Sequence, residues 1–147
     1  MDLRQSVIFQ SASPQSPPEN RTDVLFSIKT RKPLDLFPDE LVIDRRKVNL
    51  IRRPFFFTER IVSLAYEDIS NVVIEHSLLF ACLEISHKIF GMAPLQIKFL
   101  QRDEANMVKR LILGLVIAKR EGIKNINDFK TSDLISSATQ LGRAHSN

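Results

Sequence analysis

Residues 95–122 read LQIKFLQRDEANMVKRLILGLVIAKREG, and the hydrophobic period changes within this segment. Apolar and polar residues alternate over 95–100, which predicts a half-buried β-strand. The core-facing side chains of this strand are expected to be Leu95, Ile97 and Phe99. Over 103–121 the apolar residues recur every three or four positions, which predicts an amphipathic helix. Asp103 suits the N-cap of that helix and Gly122 suits the position just after its end.

Shorter segments with a two-residue period precede this strand. In residues 47–53, Val48 and Leu50 share one face and Asn49 and Ile51 share the other, as in a half-buried antiparallel strand. The chain from residue 38 to residue 122 is therefore predicted to be a strongly bent β-sheet closed at one end by a helix. The remaining candidate strands are 24–29, 40–44, 61–66, 72–76 and 82–87.

Composition changes along the chain predict three regions. Residues 1–22 are rich in Ser and Pro without an apolar period, which is typical of a disordered tail. Residues 23–122 hold the strands and the long helix and are expected to form one domain. Residues 123–147 are predicted to be a short helical extension, which Thr131 or Ser132 can cap. Within the domain, residues 78–80 are expected to form a hairpin corner with buried side chains.

Length and charge set further bounds. The chain has 147 residues, a formal net charge of +4 and a pI of about 9.5, which suits an anionic partner without requiring one. Its one cysteine, Cys82, lies in an apolar segment and is expected to be a buried hydrophobe. No apolar run approaches the roughly 20 residues of a membrane-spanning helix. We expect a cytoplasmic protein, either free or peripheral to the inner membrane.

Four segments carry a resemblance to a known family. They are DELVID at 39–44, KVNLIRR at 47–53, YEDISNV at 66–72 and the predicted helix over 103–119. Together they resemble the bacterial pleckstrin-homology-like (PH-like) family, in particular its small single-domain members. The resemblance implies an α+β, mainly β, fold: a strongly bent antiparallel sheet or partly open barrel of about seven strands, capped by a C-terminal helix. It also implies a binding or scaffold module without catalysis of its own.

Five cations lie within nine residues at the predicted first hairpin. Guanidinium groups bind phosphate and carboxylate groups bidentately, so this cluster is a candidate contact for an anion or a partner. The alternative is a solvated strand edge whose charges discourage edge-to-edge aggregation. The five residues are Arg45, Arg46, Lys47, Arg52 and Arg53.

Three consecutive aromatic residues follow, flanked by Arg53 and Arg60. An exposed loop of this composition suits hydrophobic contact with a partner, a membrane surface or nucleic-acid bases. The alternative is packing inside the protein, which we favour because exposed aromatic patches are uncommon on monomers. Burial of all three would exclude the loop hypothesis. The three residues are Phe55, Phe56 and Phe57.

No catalytic motif or phosphate-binding loop stands out, and we predict no enzyme activity and no cofactor. The spacing of His76, Cys82 and His87 matches no metal-site signature, so no metal is predicted. We expect a non-enzymatic binding or scaffold module that contacts a protein partner or an anionic membrane surface. The alternative is a nucleic-acid-binding protein that uses the basic hairpin and the Phe loop. Acidic residues among the cations, such as Asp44 and Glu59, disfavour that alternative.

Overall fold

The computed structural model describes residues 23–31, 37–55, 57–123 and 130–144. These residues form seven β-strands and two α-helices, which confirms the α+β, mainly β, class. The predicted tail, residues 1–22, lies outside the described residues. The elements are β1 (Val24–Lys29), β2 (Glu40–Asp44), β3 (Lys47–Phe55), β4 (Thr58–Ala65), β5 (Ile69–His76), β6 (Ala81–His87), β7 (Leu95–Leu100), α1 (Arg102–Arg120) and α2 (Thr131–Ala144).

The strands form two antiparallel sheets. The first has the order β1-β2-β3-β4 and the second the order β5-β6-β7, so each strand pairs with the next along the chain. The hairpin β3–β4 is longer than predicted, because β3 continues through Pro54 and β4 begins at Thr58. The register shifts between Arg52 and Phe55, and this bulge accommodates Pro54, which has no N–H to donate to the ladder.

One hydrophobic core lies between the two sheets and α1. Strand β3 differs from its prediction, because Asn49 and Ile51 are buried along with Val48 and Leu50. The Asn49 side-chain oxygen accepts a hydrogen bond from the Ser63 hydroxyl at 2.7 Å. This strand lies between β2 and β4, and it is buried on both faces at residues 48–51.

A distortion in β7 links the second sheet to the first. Phe99 has a φ of 60°, a left-handed conformation that is uncommon for any residue except glycine. It lies where the register between β6 and β7 shifts, and its carbonyl oxygen accepts a hydrogen bond from the Arg31 N–H at 2.8 Å. The prediction that Phe99 faces the core is wrong, because its side chain is exposed at this bulge.

Helix α1 begins one residue earlier than predicted. Its N-cap is Gln101, so the prediction of Asp103 as the cap is wrong. Asp103 and Glu104 instead lie in the first turn, where their charges favour the positive end of the helix dipole. The predicted end is confirmed: Gly122 has a φ of 68°, and its N–H donates to the Lys119 carbonyl.

The second helix packs on α1 at unusually close range. A Cβ atom on Gly114 would lie 1.8 Å from the main-chain oxygen of Ala138. A Cβ atom on Gly142 would lie 1.9 Å from the main-chain oxygen of Arg110. The step from Gly114 to Arg110 goes back along α1, whereas the step from Ala138 to Gly142 goes forward along α2. The two helices therefore run antiparallel, with their backbones in contact at the two glycines.

Candidate functional site

The turn between β2 and β3 is built around Asp44. Its Oδ1 atom accepts hydrogen bonds from the main-chain N–H groups of Arg46, at 2.7 Å, and Lys47, at 3.3 Å. An aspartate side chain in this position substitutes for the main-chain hydrogen bond of a turn. Asp44 and Arg45 are buried whereas Arg46 is exposed. The acidic residue within the basic cluster therefore holds the turn together.

Tyr66 supports the same turn from inside the protein. It begins a single 3-10 turn, Tyr66–Asp68, and not the end of a strand as predicted. Its hydroxyl donates a hydrogen bond to the main-chain carbonyl of Asp44, and the carbonyl oxygen of Lys47 lies 3.3 Å away. Burial, and secondly the charge of Asp44, raises the pKa of Tyr66 well above its usual value. The hydroxyl is therefore a protonated donor at neutral pH.

Arg45 presents its charge to the interior. Its main-chain N–H donates to the carbonyl of Asp23 at 3.1 Å, and its Nη2 donates to the hydroxyl oxygen of Thr131 at 3.1 Å. Thr131 is the first residue of α2, so this arginine connects the β2–β3 turn to the second helix. Of the two arginines in the turn, Arg46 is the one that faces solvent.

Arg52 and Arg53 are engaged in different places. The Nη2 atom of Arg52 reaches the second sheet and donates to the carbonyl of Gln96 at 2.7 Å. The guanidinium of Arg53 stays on its own sheet, with Nε 3.1 Å from Glu59 and Nη1 3.6 Å from Glu40. The five predicted cations are therefore spread over a turn, a space between the sheets and an ion-paired sheet surface, and they do not form one basic face.

The aromatic segment forms the tip of the β3–β4 hairpin. Phe55 pairs with Thr58, which places the hairpin turn between these two residues; Phe56 lies outside the described residues. The Phe55 side chain is 73 % exposed and that of Phe57 is fully exposed. The expectation that these rings pack inside the protein is wrong for both residues.

The strand pairing explains this exposure. Strand β2 pairs with β3 only as far as Glu40 and Ile51, whereas β3 and β4 continue together to the tip. Beyond residue 51 the hairpin is a two-stranded ribbon without β2 beside it. Its described residues from 54 to 60 are all exposed, including Arg60. We call this segment, residues 54–60, the aromatic ribbon.

Two other connections also expose apolar side chains. Leu78 is 89 % exposed and Leu79 is 72 % exposed at the turn between β5 and β6, so the predicted burial of this corner is wrong. Phe90, between β6 and β7, is fully exposed. Sequence reasoning missed Leu78 and Leu79 because it assigned an apolar corner to the core, and it made no prediction for Phe90.

The remaining reactive side chains are dispersed. Cys82 is half-buried and not fully buried as predicted; this partial burial, and secondly the charge of Glu75, raises the pKa of its thiol. The Nε2 atom of His87 lies 3.0 Å from the carbonyl oxygen of Ala93, where it can donate. Among the residues that the structure describes, no three His, Cys, Asp or Glu side chains are grouped so that they could hold a metal ion.

Neither described helix is long and apolar enough to cross a membrane. Comparison of the chain with protein-family models, with curated proteins and with solved structures finds no match.

Proposed function

We propose that the protein is a non-enzymatic PH-like binding module that contacts a protein partner through the aromatic ribbon. One observation carries the proposal: Phe55 and Phe57 are exposed at the end of a ribbon that extends beyond the rest of its sheet. Two exposed aromatic rings on one tip are unfavourable in water. Large aromatic side chains are also among the residues that contribute most binding free energy at protein interfaces.

The position of the ribbon supports a role in binding. Residues 54–60 contribute no buried side chain among those described, so the hydrophobic core forms without them. A projecting ribbon can enter a concave surface on a partner, and its two-stranded backbone limits the conformational entropy lost on binding.

The PH-like assignment is part of the same proposal. Three features support it: a four-stranded meander, a three-stranded meander and a helix directly after the last strand. The shared core between both sheets and α1 fits a bent, partly open barrel capped by that helix. The absence of a catalytic role is proposed on the dispersal of the reactive side chains described above.

An anionic membrane surface is the second candidate partner. Arg60 is exposed on the ribbon that carries Phe55 and Phe57, and a cation beside aromatic side chains suits the interface of an anionic bilayer. The structure gives less support to a nucleic-acid partner than the sequence does. Arg45 is buried and Arg53 is paired with carboxylates, which leaves few of the five cations for phosphate contacts.

Site-specific photo-crosslinking tests the protein-partner proposal. The photoreactive analogue p-benzoylphenylalanine would replace Phe57 in one full-length variant and Phe90 in another, and both would be irradiated in the native cell. Phe90 is the matched control because it is equally exposed but lies in a different connection. We expect a discrete protein adduct from position 57 that position 90 does not give.

A Phe55→Ser substitution, added to the variant with the photoreactive group at position 57, should weaken that adduct by at least about tenfold, since a hot-spot side chain at an interface contributes about 2 kcal/mol or more. Equal adducts from both positions, or an adduct insensitive to Phe55→Ser, would show that the ribbon is only an apolar surface. Co-sedimentation with anionic and neutral vesicles distinguishes the second candidate. Binding to anionic vesicles that Phe57→Ser abolishes, without a protein adduct, would assign the ribbon to the membrane.

A further inference from the structure

A pocket of about 390 Å³ lies between the two sheets, beside the start of β2. Arg52 from β3 enters it and donates to the Gln96 carbonyl through Nη2 at 2.7 Å. The pocket is separate from the exposed side chains of the aromatic ribbon. Its lining residues are Asp39, Arg52, Gln96, Lys98 and Phe99.

The guanidinium of Arg52 has one N–H group whose hydrogen bond is accepted by no described atom of the protein. Its Nε atom is buried without a hydrogen-bond partner among the described residues. A buried donor without an acceptor is costly, and more so when it belongs to a charged group. The other unpaired buried atoms of the described chain are on Asn49, His87 and Thr139, so Arg52 supplies the one permanently charged group among them.

The walls of this pocket are held in place by main-chain hydrogen bonds. The N–H of Thr30 donates to the carbonyl of Asp39 at 2.9 Å, and the N–H of Asp39 donates to the Thr30 hydroxyl at 3.0 Å. Phe99 keeps its left-handed backbone while its carbonyl accepts from Arg31. Residues in such conformations concentrate at ligand-binding sites. A pocket whose walls are already ordered loses little entropy when a ligand binds.

The charge of the pocket selects the kind of ligand. Two cations, Arg52 and Lys98, and one carboxylate, Asp39, line it, so they leave one net positive charge. A second carboxylate, Glu84, accepts a hydrogen bond from the side-chain amide of Gln96 at 2.7 Å. With Glu84 included, two carboxylates offset the two cations, so a singly charged carboxylate meets less repulsion here than a phosphate monoester with a charge near −2 at pH 7. The Nε and Nη2 atoms of one guanidinium also match the two oxygens of a carboxylate.

We propose that this pocket binds a carboxylate group from an acidic segment of the protein partner. The proposal rests on the proposed function for the existence of that partner, and the basic net charge of +4 favours an acidic one. Binding requires a shift of the Arg52 side chain that uncovers Nε for the carboxylate while Nη2 keeps its bond to Gln96, and Lys98 supplies a second positive charge. The aromatic ribbon and the pocket are then two separate contacts to one partner.

Nuclear magnetic resonance of the Arg52 Nε–H group tests this inference directly. The ¹⁵N-labelled full chain would be titrated with a terminally blocked tetraglutamate peptide, with acetate and with inorganic phosphate. We expect a saturable shift of the Arg52 Nε–H resonance with the peptide, a weaker one with acetate and the weakest with phosphate. Arg52→Gln should weaken peptide binding by at least about tenfold, because a charge-assisted bidentate contact is lost.

Arg53→Gln is the matched control, because its guanidinium pairs with Glu40 and Glu59 and should leave peptide affinity within about twofold. If Arg52→Gln does not fold, Arg52→Lys takes its place. Lysine keeps the charge but lacks the planar guanidinium fork, so this variant should fold and bind the peptide more weakly. Tighter binding of phosphate than of peptide would overturn the inference in favour of a phosphate or headgroup site. Absence of a saturable shift, or equal affinity in the Arg52 variants, would also overturn it.

The two proposals fail separately in these experiments. Phe57→Ser should leave the peptide titration unchanged, because its side chain is not part of the pocket. A failed titration would leave the crosslinking result for the aromatic ribbon intact, and a missing adduct at position 57 would leave the titration intact.

Discussion

The contact between α1 and α2 gives a sharp stability prediction. Gly114→Ala would place a methyl group 1.8 Å from the main-chain oxygen of Ala138 and 2.4 Å from its carbonyl carbon. Both atoms belong to the backbone of α2, so no side-chain rotation can relieve the overlap. The helices would have to separate by more than about 1 Å to restore ordinary contact.

Two effects of this substitution oppose each other. Alanine is favoured over glycine within a helix by about 1 kcal/mol. Overpacking costs about 1–3 kcal/mol, and release of α2 would expose Leu134, whose burial is worth about 1.5–3 kcal/mol. Release would also remove the Thr131 hydroxyl from Arg45. We therefore expect a net loss of about 1.5–5 kcal/mol, which corresponds to a fall in Tm of roughly 3–20 °C.

Differential scanning calorimetry and urea unfolding would measure this loss. Ser137→Ala is the control, since it lies on the exposed face of α2 and should stabilise the protein by a few tenths of a kcal/mol. Gly142→Ala, which meets the Arg110 oxygen at 1.9 Å, should resemble Gly114→Ala. A rise in Tm for either glycine variant would refute close backbone contact between the helices.

Three further predictions concern the turn and the cysteine. Tyr66→Phe should cost about 1–3 kcal/mol at pH 7, because the buried carbonyl of Asp44 loses its donor. The pKa of Tyr66 is raised in the folded state, so the contribution of its hydroxyl to the free energy of unfolding is complete below about pH 10 and falls as the pH rises further. Urea unfolding from pH 7 to 11 should therefore show a smaller loss of stability at alkaline pH in Tyr66→Phe than in the unchanged protein. An identical loss in both proteins would contradict the raised pKa of Tyr66. Asp44→Ala should lower the free energy of unfolding by about 1–2 kcal/mol, because two main-chain donors lose their acceptor, and the urea midpoint should fall accordingly. An unchanged midpoint would show that water replaces the carboxylate. Iodoacetamide should modify Cys82 more slowly than a free cysteine peptide, because burial and then Glu75 raise its pKa, and urea should remove the difference.

The sequence predicted the elements well where local chemistry decides them. Strands β1, β2 and β7 have the predicted bounds, and α1 ends at the predicted glycine. Alternation and capping act over a few residues, so one sequence carries enough information for them. The distorted backbone of Phe99 was not predictable in this way, because it lies at a register shift between β6 and β7 and its hydrogen-bond partner, Arg31, is distant in sequence.

The candidate site was predicted less well, because side-chain exposure depends on which strands continue together. Packing of the Phe rings inside the protein was the favoured prediction, but β3 and β4 extend past β2 and carry Phe55 and Phe57 into solvent. The five cations of the basic cluster are close in sequence but dispersed in space. Burial of Arg45 and the bond from Arg52 to the other sheet both depend on tertiary contacts.

Oxidative footprinting in the native cell tests the central claim most directly. Hydroxyl radicals would label the full-length protein in the cell and after purification, and modification would be read at Phe55, Phe57 and Phe90 by mass spectrometry. All three are exposed in the protein alone, so their labelling should be similar after purification. The account predicts that Phe55 and Phe57 are protected in the cell while Phe90 is not. Equal labelling of the three residues in both conditions would contradict it.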